Sequence, residues 1–76
     1  MIDTNLVGRR IAEARRKSGI TQSALAVRVG VTAQAVSKWE QGRSCPDIAI
    51  LDEVADALGI SLFQLLGMDE REKSSS

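Results

Sequence analysis

Residues 22–41 read QSALAVRVGVTAQAVSKWEQ, and the spacing inside this stretch decides the fold. Thr21, just before it, and Thr32, within it, stand where helix N-caps are needed, and the apolar residues that follow each recur at helical intervals. The pattern predicts a helix from about Gln22 to Val29 and another from Ala33 to Gln41, separated only by Gly30, Val31 and Thr32. Two helices this close in sequence must turn sharply. Gly30 can take a left-handed backbone at the turn, and Ala26 is small where the helices approach. Leu25, Val29, Val31, Val36 and Trp39 supply a shared apolar seam.

The second of these helices separates packing from recognition. At about 100° per residue, Ala35, Val36 and Trp39 cluster on one side, while Gln34, Ser37, Lys38 and Gln41 form a polar stripe on the other. A face built for solubility typically mixes Glu with Lys. This stripe carries amide, hydroxyl and ammonium groups and no acid, which suits the donor and acceptor edges of the DNA major groove. Corner and stripe together are what a helix-turn-helix requires.

Working outward, the remaining windows are also helical. Val7, Ile11 and Ala14 share a face in a window from about Asn5 to Ser18. Asp47, after the single proline Pro46, caps a fourth helix in which Leu51, Val54, Ala55 and Leu58 follow helical spacing. Ser61 and Gln64 form a capping-box pattern ahead of Leu65 and Leu66. No alternation of period two is long enough for a strand. The expectation is an all-α, five-helix domain over residues 6–67, with the helix-turn-helix at 22–41 and a disordered tail at 68–76. Glycines 19, 30, 42, 59 and 67 mark helix ends, whereas Gly8 falls in or at the start of the first helix.

Composition bounds the chemistry. The 76 residues allow one small domain, and with one Phe, one Trp and no Tyr its core must be aliphatic. There is no histidine, and the lone Cys45 offers no thiolate cluster. No catalytic site, cofactor or metal is therefore expected. The absence of a secretory signal and of any apolar run near the ~18 residues of a membrane span predicts a cytoplasmic protein, nucleoid-associated when bound to DNA. Ten basic residues balance ten acidic ones. By position the balance splits: residues 1–46 hold eight basic against three acidic groups, a net of +5, and residues 47–76 hold two against seven, a net of −5. The recognition half is the basic half.

From Leu6 to Leu66 the chain resembles the Cro/repressor-type, lambda-repressor-like (XRE) helix-turn-helix family. The resemblance rests on RIAEARRKSGITQSALA at 10–26, VSKWEQG at 36–42 and CPDIAILDEVADALGISLFQLL at 45–66. It implies that Gln22 clamps a DNA phosphate together with main-chain N–H groups at the start of its helix. It sets Thr32, Ala33, Gln34, Ser37 and Lys38 against bases and flanking phosphates, and Gln41 and Arg43 against the DNA backbone. Many relatives carry a base-reading Gln where this chain has Ala33. Ala33 offers only a methyl, suited to thymine, so hydrogen-bond readout falls on Gln34 and Lys38.

Each of these residues has a plainer reading. Gln34 and Lys38 on any other helix would count as solvated, but the corner around them favours DNA contact. Arg15 lies beside Ile11 on the core side of the first helix and Glu40 flanks the apolar face of the third, which favours a structural ion pair over a DNA role for Arg15. Arg9, Arg10, Arg16 and Lys17 read as a solvated basic face, with Arg10 the candidate among them for a phosphate contact. Trp39 belongs to the seam and not to a base stack. Asp52 and Asp56 share a face but lack further ligands for a cation, and Cys45 lacks a redox partner.

The expected function is that of a sequence-specific DNA-binding transcriptional regulator, a repressor acting by occupancy. One recognition helix reads only about four or five base pairs, so a homodimer on double-stranded DNA bearing a palindromic operator is expected. Ile48, Ile50, Ile60, Leu62, Leu65, Leu66 and Met68 exceed what one helix face buries, and some of them are expected to form a C-terminal dimer patch. The alternative is an antitoxin-like interaction module that also binds DNA, its acidic half gripping a basic partner. A small metal-dependent nuclease is the least supported reading.

Overall fold

Five polar side chains open five helices. The computed structural model describes residues 2–68, which form α1 (Thr4–Ser18), α2 (Gln22–Val29), α3 (Ala33–Glu40), α4 (Ile48–Leu58) and α5 (Leu62–Leu66). Thr21, Thr32 and Asp47 cap the main-chain N–H groups of Ala24, Ala35 and Ile50 at 3.0, 3.1 and 3.0 Å. Ser61 and Gln64 complete a reciprocal capping box, at 3.1 and 2.9 Å. The fifth cap was not anticipated: Asp3 accepts from Asn5 and Leu6 N–H at 3.0 and 3.2 Å, so α1 begins at Thr4. At its far end α3 stops at Glu40, one residue short of the expected boundary, with Gln41 as its C-cap.

The apolar stripes of these helices converge. Val7 and Ile11 of α1, Leu25 of α2, Val36 of α3, Leu51 and Val54 of α4 and Leu65 of α5 are fully buried, and Ala26, Trp39, Ala55 and Leu58 complete the cluster. Burial of each large aliphatic side chain is worth about 1.5–3 kcal/mol, so this aliphatic centre is the main support of so short a chain. Trp39 packs there at 6% exposure, as its place on the seam requires. The chain turns between α2 and α3 at Gly30, whose φ of 80° is left-handed. Its N–H and that of Val31 both return to the Ala26 carbonyl, at 2.8 and 3.0 Å.

Packing also sorts the C-terminal apolar residues. Leu65 is fully buried and unavailable to a partner, while Ile50, Ile60, Leu62 and Leu66 lie partly against the core. Ile48, Phe63 and Met68 remain exposed, and Phe63 was not among the residues expected there. The expected tail, from residue 69 on, lies outside the described residues. Among the described residues no helix is long and apolar enough to cross a membrane.

Candidate nucleic-acid interface

Because α3 buries Val36 and Trp39, its opposite edge must face outward. Along it Thr32, Gln34, Lys38 and Gln41 are exposed and Ser37 is half-buried. Thr32 uses a lone pair to cap Ala35, leaving its hydroxyl proton for an outside acceptor. Gln41 Nε2 donates to Ser37 Oγ at 2.7 Å, so these two polar groups act as one. Arg43 is exposed just beyond the helix, where its N–H closes onto the Lys38 carbonyl at 2.9 Å. Ala33 is half-buried and packs partly on the core, so only part of its methyl is presented outward.

The acid of α3 is turned away from this edge. Glu40 pairs with Arg15 of α1 in a two-pronged bridge, Arg15 Nε to Oε2 at 2.7 Å and Nη2 to Oε1 at 3.1 Å, and their side chains are only 7% and 14% exposed. Arg15 Nη1 also donates to the Ile20 carbonyl at 3.0 Å, in the turn that leads into α2. Gln22, the first residue of α2, donates from Nε2 to Glu40 Oε1 at 3.0 Å. Burial pushes the Glu40 carboxyl up, but hydrogen bonds from Arg15 and Gln22, with the charges of Arg15 and Arg16, outweigh it and hold the group below its ordinary value. Arg15 is shifted the other way by its hydrogen bond to Glu40.

The structure thus gathers Thr32, Ala33, Gln34, Ser37, Lys38 and Gln41 along α3 and its two caps, sets Arg43 beside them, and joins Gln22 to the end of the same helix. Arg10 is apart from them. It lies roughly opposite Gly8 around α1, in a cleft bordered by Leu58, Ile60 and Gln64. Three features escaped the sequence reading. The Gln22 to Glu40 bond spans residues with no local relation. Arg28 of α2 donates to the Ala57 carbonyl of α4 at 3.1 Å. Gly8 is buried on α1 because α3 passes over it, and an isolated glycine inside a helical pattern was the available signal.

The comparisons with known proteins agree with this geometry. The helix-turn-helix family model matches residues 11–65. The HTH-type transcriptional regulator y4dJ of Sinorhizobium fredii is 41% identical over 61 residues, which cover 80% of this chain and 79% of that one. Among solved structures, the P22 c2 repressor in complex with a synthetic operator superposes with a TM-score of 0.76 at 38% identity, over 79% of this chain and 91% of that one. The restriction-modification controller protein C.AhdI of Aeromonas hydrophila gives 0.78 at 28% identity, over 83% and 91%. The chain belongs to the Cro/repressor-type, lambda-repressor-like family of helix-turn-helix proteins.

Proposed function

We propose that this protein is a transcriptional repressor that recognises a specific DNA sequence by laying α3 in the major groove. The observation that carries the proposal is the exposed edge of α3, where four polar side chains stand free of any acid while Glu40 is folded inward onto Arg15. Gln34 and Lys38 read base edges, Ser37 and the Ala33 methyl adjoin them, and Gln22, Thr32, Gln41 and Arg43 hold phosphates. That the P22 c2 repressor, a structural relative, was solved in complex with a synthetic operator supports DNA as the partner.

One such helix specifies too few base pairs to single out a genomic site, so the protein acts as a homodimer on a palindromic operator. The exposed Ile48, Phe63 and Met68 provide apolar surface for the second copy. It works by occupancy, in the cytoplasm and at the nucleoid, and no chemistry is assigned to it.

Selecting bound duplexes from a random pool tests both parts. The expected outcome is a symmetric site with half-sites about one helical turn apart, for which Gln34→Ala and Lys38→Ala each lose about tenfold or more in affinity while melting like wild type. If both variants bind the selected site as wild type does, the readout assignment is wrong. A selected site without symmetry would remove the dimer.

A further inference from the structure

The Glu40 carboxylate ends α3 yet serves two other helices. Arg15 of α1 holds both of its oxygens, at 2.7 and 3.1 Å, and Gln22 of α2 donates to Oε1 at 3.0 Å. Arg15 also grips the Ile20 carbonyl at 3.0 Å, two residues before α2. The start of α2 is therefore tied both to the turn before it and to the end of the recognition helix.

A carboxamide nitrogen carries two hydrogens. With one given to Glu40, the Gln22 amide is fixed in direction and keeps a second N–H for another acceptor. Main-chain N–H groups of Gln22 and Ser23 open α2 beside it, without acceptors inside the helix. A free surface glutamine would have to give up its rotamer freedom on meeting a phosphate, whereas an anchored one has done so on folding. Arg15 matters for a second reason. A bare carboxylate at this place would repel a phosphate, and the guanidinium cancels that charge.

We propose that Glu40 is a positioning residue for DNA binding, which, neutralised by Arg15, holds the Gln22 carboxamide in the orientation that meets a DNA phosphate. The inference rests on the assignment of Gln22 to a phosphate and adds what aims it. A merely structural ion pair would tie α1 to α3 and leave Gln22 indifferent to Glu40.

The test is a double-mutant cycle read in DNA affinity, using the full chain and a duplex selected by the wild-type chain from a random pool. Denaturation of each variant is followed in parallel, and affinities are compared where every variant is folded. Gln22→Ala is expected to weaken binding about tenfold, the loss of one hydrogen bond to a charged group. Glu40→Met, which removes the acceptor, is expected to cost about fivefold in the wild-type background and less than about twofold in the Gln22→Ala background. If Glu40→Met leaves Arg15 too poorly compensated to fold, Arg15→Met/Glu40→Met replaces the whole pair by apolar groups and enters the same cycle.

Equal loss from the Glu40 change in both backgrounds would mean that Glu40 acts through the fold alone, and would overturn the proposal while leaving Gln22 on its phosphate. No loss from the Glu40 change in the wild-type background would overturn it as well. Wild-type binding by Gln22→Ala would instead remove the phosphate assignment itself, and the proposal with it.

Discussion

Gly8 has no side chain because α3 leaves no room for one. A Cβ there would run into the Trp39 carbonyl oxygen and lie 3.2 Å from that of Glu40. These are main-chain atoms of a helix end and cannot rotate aside. Alanine gains up to about 1 kcal/mol in helix propensity, but overpacking typically costs about 1–3 kcal/mol and should prevail. Gly8→Ala is therefore expected to lower the urea midpoint, and a midpoint above wild type would show that α1 can retreat from α3 freely. Glu40 gives a second prediction at this scale. Its folded carboxyl titrates below the ordinary 4.5 because the bonds and charges of its neighbours outweigh burial. A depressed folded value means stability that is present above about pH 4.5 and is lost as pH falls through the folded value. Melting temperatures measured from about pH 6 to pH 2 should fall less steeply for Glu40→Gln than for wild type. Parallel curves would exclude the linkage.

At the scale of the elements, local chemistry accounts for most of the starts. Thr21, Thr32, Asp47 and Ser61 were readable as caps because the acceptor and the N–H it serves lie within three residues. α5 depends most on such help, being only five residues long yet carrying the fully buried Leu65. Ser61→Ala removes the bond from Gln64 N–H to Ser61 Oγ, one half of its capping box, and should cost about 1 kcal/mol in unfolding free energy, measured by chemical denaturation. An unchanged value would mean that core packing and the remaining Gln64 bond hold α5 in place without the Ser61 hydroxyl. Legibility failed where partners are distant in sequence. The apolar seam predicted that α2 and α3 pack together, and the flanking positions of Arg15 and Glu40 predicted their pairing. Neither fixed the rotation of α2 that brings Gln22 to Glu40, nor the approach of α3 that demands Gly8. The fate of Leu65 was open for a related reason: its spacing marks an apolar face, and only the placement of α1 and α4 shows that this face is already covered. On the candidate site, the outward stripe of α3 was legible because Val36 and Trp39 define its opposite, while the half-burial of Ala33 comes from its packing on the core, which spacing within α3 does not show.

For the molecule as a whole, a formal charge of zero understates what a DNA surface would meet. The net of +5 over residues 1–46 and −5 over residues 47–76 makes the half of the sequence that carries the helix-turn-helix the basic half. Within that half the charges are not equivalent. Arg15 is neutralised by Glu40, whereas Lys38 and Arg43 are exposed beside the reading edge. Only cations that neutralise phosphates release counterions, and each contributes about −0.9 to the slope of log affinity against log salt. If Arg43 holds a phosphate in each half-site of a dimer, Arg43→Gln should therefore make the slope shallower by about two while weakening binding to all sequences alike. Gln22 is uncharged, so Gln22→Ala should lower affinity and leave the slope as it was. Titrations of the selected duplex from about 50 to 200 mM salt read both quantities at once. An unchanged slope in Arg43→Gln would remove that residue from the phosphate backbone, and a change of about one would mean that a single copy of the chain occupies the site.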